Sequence, residues 1–246
     1  MRITILFGIS ALLATAPGHQ LIAPASKTPE VALVDRAVEA AGGEQALKNY
    51  PAFTWTGEAN IYVQGKTTTI VGTWNLDPPD RAIVETRPSG DPPESTRTLV
   101  INGRQGWAIV KNERVQISAE QLEGERDEFY LYSLMRILPL RDYAVKLEMQ
   151  SKSSDGLDVL RVSRPERPDV DLFFDADNRL RRLSLETLDP VTNTRRRQNV
   201  RLEGETVSRG IRWFKQMSLT WESEPYFDLT ISTLNVSPGL VDPRLR

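Results

Sequence analysis

The chain has 246 residues, of which 26% are charged and 39% hydrophobic, with a formal net charge of −2. This is ordinary globular composition, and it excludes a disordered chain, a multi-span membrane protein and a strongly basic nucleic-acid binder. With no cysteine and a single histidine, His19, it also excludes disulfide stapling and attachment of a lipid through a cysteine.

The amino terminus carries one cation, Arg2, then an apolar run from Ile3 to Ala16, and then the small residues Ala23-Pro24-Ala25. That layout predicts a secretory signal peptide over residues 1–25, removed on export, followed by a single domain over residues 26–246. Its removal takes away Arg2 and no acid, moving the charge from −2 to −3. No later stretch approaches the ~20 apolar residues of a membrane helix, so the expectation is a soluble, periplasmic or otherwise exported protein.

Pro29 to Ala41 places Val31, Val34, Val38 and Ala41 at helical spacing, with Gly42-Gly43 as the stop. A second short helix, Glu44 to Tyr50, ends at Pro51. From Phe53 to Val63 the odd positions are apolar or small, and from Thr67 to Leu76 the same is true of Ile70, Gly72, Trp74 and Leu76. Period two in both predicts a hairpin, with Gly65-Lys66 as a type II′ turn. In that register Ile61 faces Ile70, Gly57 faces Trp74 and Trp55 faces Leu76, and both apolar faces fall on one side.

Short strands follow at Arg81 to Arg87, Thr96 to Asn102 and Gly106 to Lys111. Ser118 to Leu138 opens with Ser118 and Gln121 in a capping-box pattern and carries Leu131, Leu134, Met135 and Leu138 before Pro139. It predicts one helix set mid-sheet, or two that meet at Gly124. Strands are then expected at Tyr143 to Ser151, Leu157 to Ser163, Val170 to Asp175, Leu180 to Leu188, Thr194 to Glu203, Ile211 to Glu222 and Tyr226 to Val236. About a dozen strands at this spacing make a meander that must curve strongly.

His19 falls in the export segment, so the mature chain has no Ser-His-Asp or Cys-His triad, no histidine-ligated zinc and no iron–sulfur ligands. The acids are scattered through turns and polar strand faces, and the expectation is no enzyme, no cofactor and no metal. Asp175-Ala176-Asp177-Asn178-Arg179 starts like a calcium loop, but Leu180 stands where the loop needs glycine, and a hairpin turn is the better reading. Arg195-Arg196-Arg197 reads as cations alternating faces on a solvated edge strand.

The aromatic set carries the functional signal. Trp55, Trp74, Trp107, Trp213 and Trp221 all fall in predicted strands, and Gly57, Ala59 and Gly72 share the face of Trp55 and Trp74. Either these tryptophans are plain core, or the small residues leave a space beneath the helix that takes a hydrophobic ligand. On the second reading Trp55, Ile61, Ile70, Trp74, Leu131, Leu134, Met135, Trp213, Met217 and Trp221 line the cavity.

The order of elements, together with Ala41-Gly42-Gly43-Glu44, Asn102-Gly103-Arg104-Gln105-Gly106-Trp107 and the turn from Asp175 to Leu183, resembles periplasmic proteins of the LolA/LolB-like lipoprotein-carrier fold, in particular the outer-membrane lipoprotein-sorting-like group. The likeness covers roughly residues 30–240. It implies a mostly β (α+β) fold: a strongly curved antiparallel sheet, or incomplete β-barrel, with helices over its concave face and an apolar cavity for acyl chains. It implies a non-catalytic carrier or binding protein for a lipid or lipoprotein acyl chain. The alternative is an envelope signalling or structural module of the same fold, with a filled core and a protein partner. No position aligns with the arginine that controls cavity opening in the true carriers, so no residue role is carried over.

Overall fold

The computed structural model describes residues 27–189, 192 and 194–245. The expected export segment, His19 included, lies outside the described residues. Helix α1 (Pro29–Ala40) buries Leu33, Val34, Ala37 and Val38, a stripe turned from the expected one: Val31 stays exposed. Gly42 ends it with φ +125°, and a Cβ there would lie 2.4 Å from the carbonyl oxygen of Gly210. Only glycine admits both that dihedral and that close approach. Helix α2 (Glu44–Asn49) follows.

The first hairpin joins β1 (Ala52–Val63) to β2 (Lys66–Asp77). Its turn is Gln64-Gly65, with φ of 51° and 73°, one residue earlier than expected. Two positive φ values are what a type I′ turn requires. The register therefore pairs Trp55 with Trp74 and Gly57 with Gly72, two residues from the expected pairing. Because side chains alternate with period two, that displacement keeps every residue on its expected face.

Strands β3 (Arg81–Pro88), β4 (Arg97–Asn102), β5 (Gln105–Val110) and β6 (Glu113–Gln116) extend this half of the sheet. All four residues of β6 are exposed, so it carries no apolar alternation by which to be read. Helix α3 (Ala119–Met135) is continuous through Gly124, and Ser118 Oγ caps it by accepting from the Gln121 N–H at 3.0 Å. It ends three residues before the expected stop, where Ile137 turns to φ 63°.

The second half comprises β7 (Lys146–Gln150), β8 (Asp158–Ser163), β9 (Val170–Phe174), β10 (Leu180–Leu188), β11 (Arg195–Glu203), β12 (Thr206–Ser208), β13 (Ile211–Trp213), β14 (Gln216–Trp221) and β15 (Glu224–Ser237). The expected strand over 211–222 is thus two: β13 leaves the main sheet to pair with β12 in a separate ribbon. The order in the main sheet is β6-β5-β4-β3-β2-β1-β15-β14-β11-β10-β9-β8-β7, thirteen antiparallel strands whose edges are β6 and β7. Strand β11 lies inside the sheet, so the expected solvated edge is corrected, while its arginines do alternate faces.

The sheet is strongly curved and is not closed into a barrel. Irregularities in the pairing of β15 with β1 and with β14 help to bend it. Along β15 the buried residues change from Leu229 and Ile231 to Leu234 and Val236, so its parity switches at the first of these. Since β6 and β7 are the two edges, α3, which joins them, has to cross the concave face.

Candidate functional site: the two ends of the concave face

Register fixes which side chains share the concave face. Phe53, Trp55, Gly57, Ala59 and Ile61 of β1 stand beside Leu76, Trp74, Gly72 and Ile70 of β2, and beside Val236, Leu234, Ile231, Leu229 and Phe227 of β15. Met217 and Leu219 of β14 continue the face. Trp107 is on the other side, in a small convex cluster with Ile83 and Val100 against Leu240 and Leu245. The Arg114 guanidinium lies 3.6 Å above its ring.

One end of the concave face is packed. Trp55 is wholly buried, and its ring meets Phe53 at 5.2 Å, Tyr132 of α3 at 5.4 Å, Phe214 at 6.1 Å, Trp213 of the ribbon at 6.2 Å and Trp74 at 6.4 Å. Such offset and edge-on pairs add to the apolar burial. Leu131, Leu134, Met135 and Met217 belong to the same buried cluster. Cavities touching this end measure only about 70 Å³, beside Trp213 and Met135, and about 10 Å³, beside Phe53 and Trp213.

Nor do the small residues leave a space. A Cβ at Gly57 would lie 2.4 Å from the Thr230 carbonyl oxygen, and one at Gly72 would lie 2.6 Å from that of Glu85. These glycines admit the neighbouring strand backbone. The expectation of room beneath the helix is corrected here.

Arg136, just past α3, seals the packed end. It is buried, and its guanidinium donates to the carbonyl oxygens of Leu47, Tyr50 and Pro51. Burial brings its pKa down to about 10, still charged at neutral pH. The bonds satisfy carbonyls at the end of α2 that have no intrahelical partner, and they lock α2 to α3.

The opposite end, toward the β1–β2 and β14–β15 turns, is open. Ile61, Ile70, Leu219 and Phe227 are only partly buried. Trp221, at 4% exposure, stands edge-on to Tyr226 at 6.2 Å. A cleft of about 460 Å³ is lined there by Val63, Trp221, Pro225 and Tyr226 together with Asp189, Arg196 and Glu224. Arg196 is held by Asp189 at 2.9 Å and Glu224 at 2.8 Å. A wider recess of about 650 Å³ lies between α3 and the ends of β10 and β11. It is walled by ion pairs such as Arg161–Asp171 and Arg167–Asp127, which suit water better than an apolar ligand.

The ten residues expected to line one cavity are therefore divided. Trp55, Trp74, Leu131, Leu134, Met135, Trp213 and Met217 form packed core, Ile70 borders it, and Ile61 and Trp221 stand at the open end.

The lid differs from expectation in chemistry. Only its second half, Phe129 to Met135, is buried. In the first half, Leu122 packs against the core beside Gly106 of β5, while Gln121 and Glu128 are exposed and Glu125 is partly buried. The Tyr132 hydroxyl donates to Glu128 Oε1 at 3.0 Å. Burial, reinforced by the charge of Glu128, raises the Glu125 carboxyl to about 7 against the opposing pull of Arg97. Burial also raises that of Glu128, although water still reaches it.

Among the described residues no group of three or more acidic or histidine side chains is arranged to hold a metal ion, and no helix is long and apolar enough to cross a membrane. Asp175 makes the expected β9–β10 turn, its carboxylate accepting from the N–H groups of Asp177 and Arg179 at 2.9 Å each.

No family model and no curated protein matches the chain. Among solved structures it is similar to a LolA superfamily protein from Nitrosomonas europaea, with 13% identity and a TM-score of 0.54 over 84% of this chain and 92% of that one. A domain assigned to outer-membrane lipoprotein sorting from Vibrio parahaemolyticus is 12% identical, with a TM-score of 0.56 over 88% and 96%. A DUF1329 family protein from Desulfovibrio piger is 13% identical, with a TM-score of 0.56 over 89% and 97%. A thirteen-stranded open sheet crossed by a helix that joins its two edges, together with these likenesses, identifies the fold of this chain as that of the LolA-like and lipoprotein-sorting-like proteins.

Proposed function

We propose that this chain is an exported, non-catalytic binding protein that shields an acyl chain, from a lipid or a lipoprotein, at the open end of its concave face. The observation that carries this reading is the contrast within one surface. The Trp55 end is closed by the protein's own side chains, whereas toward the hairpin turns Ile61, Ile70, Leu219 and Phe227 are only partly buried and a 460 Å³ cleft lies beside Val63, Trp221 and Tyr226. That volume lies within the usual range of ligand pockets, and its lining joins the apolar Val63, Trp221 and Pro225 to the Asp189–Arg196 ion pair. Each buried methylene contributes about 0.8 kcal/mol, so ten or so give about 8 kcal/mol, which leaves a surplus of a few kcal/mol over the lower end, about 4 kcal/mol, of the cost of association. Binding of one chain is then moderate and reversible, as handing on a cargo requires. The structural likenesses support the scaffold, and the amino-terminal layout supports export through the envelope.

A second reading is favoured by the packed Trp55 end: a module whose interior is structural and whose partner is another envelope protein. Native mass spectrometry of protein purified from its own envelope separates the two. The carrier reading predicts a lipid-sized adduct that is lost on delipidation and restored by a dodecyl-chain amphiphile. Protein that is repeatedly free of lipid and takes up no such amphiphile contradicts it.

A further inference from the structure

We propose that residues 238–245, which follow β15, are a strap that fastens the lid from the opposite side of the sheet: seated on the convex face, they hold the first half of α3 on the concave face, and lifting them releases it.

The strap crosses the first half of the sheet from β2 to β4, with a contact at each strand. The Leu240 N–H donates to Asp77 Oδ2, at the end of β2, at 3.4 Å. Arg244 Nη1 donates to Glu85 Oε1 of β3 at 2.7 Å, and Asn102 Nδ2 of β4 donates to the Leu245 carbonyl oxygen at 2.8 Å. Beneath lies one lateral row, Ile83 of β3 beside Val100 of β4 beside Trp107 of β5. All three are buried, and Leu240 and Leu245 are the strap side chains packed against them, while Val241 is exposed. The two leucines are therefore its apolar anchors.

Strand β5 carries the root of the lid on its other face. A Cβ at Gly106, the neighbour of Trp107, would lie 2.7 Å from Ile117 Cδ1 and 2.9 Å from Leu122 Cδ1. Glycine there leaves room for the entry to α3 and its first turn to sit directly on the strand. Outside β5 comes only the edge strand β6, whose four residues are exposed. It is tied back by the Arg114 guanidinium over the Trp107 ring and by Gln116 Nε2, which donates to the Gly106 carbonyl oxygen at 2.6 Å.

At Gly106 and Trp107 the sheet is thus covered by Ile117 and Leu122 on one side and by the strap on the other. A strand so placed is a unit of low local stability, in which loss of one cover weakens the hold of the other. Residues 129–135 lie outside this unit, fixed in the main core. Lifting the strap frees the first half of the lid and leaves the Trp55 end shut, so a partner that takes up residues 238–245 opens the lid without entering the concave face.

Hydrogen–deuterium exchange of the ligand-free, whole chain tests this. In L240A/L245A, amides of β6 and of residues 119–128 should exchange about tenfold faster or more, while those of residues 129–135, β8 and β9 keep their native rates. If that pair does not fold, R244A, which removes the ion pairs with Glu85 and Asp242, should give the same pattern at about threefold. L122A, on the other face, should speed exchange of the Leu245 amide, which donates to the Asp242 carbonyl oxygen at 3.1 Å, because coupling is reciprocal. Native rates at residues 119–128 in the strap variants, a rise of equal size at residues 129–135, or an unchanged Leu245 amide in L122A would overturn the proposal. Because no ligand is used, the strap and the acyl-chain reading can fail independently.

Discussion

The two ends of the concave face are built on the same strands yet have opposite characters. At the Trp55 end, the ribbon β12–β13, the second half of α3 and the helices α1 and α2 bring Trp213, Phe214, Tyr132 and Met135 down onto Trp55. At the end of the hairpin turns the Asp189–Arg196 pair stands beside Trp221 and Tyr226, and Ile61, Ile70, Leu219 and Phe227 stay partly uncovered. A curved sheet thus has a cavity only where its covering elements leave one. The function of such a fold is decided by the lid, less by the sheet.

Truncation breaks this comparison at its strongest point. Trp55→Ala removes the side chain on which five other rings converge and should cost about 3–5 kcal/mol, read by urea or thermal unfolding. A cost below about 1 kcal/mol would mean that the packed end is loose and able to admit a ligand. Ile61→Ala and Ile70→Ala should each cost about 1 kcal/mol, because both side chains are partly in water already. The pair should nonetheless weaken binding of a dodecyl amphiphile at least tenfold, measured by titration calorimetry or displacement of an apolar dye. If the isoleucine pair destabilises as much as Trp55→Ala and leaves binding intact, the two ends have been assigned the wrong way round.

Much of this architecture was legible in the sequence. Alternation in Phe53 to Val63 and Thr67 to Leu76 fixed the hairpin and its buried face. The turn was displaced by one residue because Gln64 adopts the left-handed conformation that glycine usually supplies. Strand β6 had no signal, since an edge strand with four exposed residues has no apolar period. Trp213 looked like part of one long strand; a break at Phe214-Lys215 puts it on a ribbon that folds over Trp55, a tertiary event with no local mark.

The candidate site was legible only in part for the same reason. Composition showed an aromatic, apolar face but could not say which portion of it other elements cover. The glycines were the misleading signal. Gly57 and Gly72 fit close strand backbones as well as they would line a void, and the distances to Thr230 and Glu85 decide for the former.

The most direct test uses the tryptophans themselves. Indole N–H resonances of the five tryptophans, assigned by single substitution, can be followed as a spin-labelled acyl chain is added. Broadening confined to Trp221, together with the methyl signals of Ile61 and Ile70, with Trp55 and Trp213 left sharp, is the outcome expected of a ligand at the open end. Equal broadening of Trp55 and Trp213, or none at any tryptophan, would contradict the division of the concave face on which the account rests.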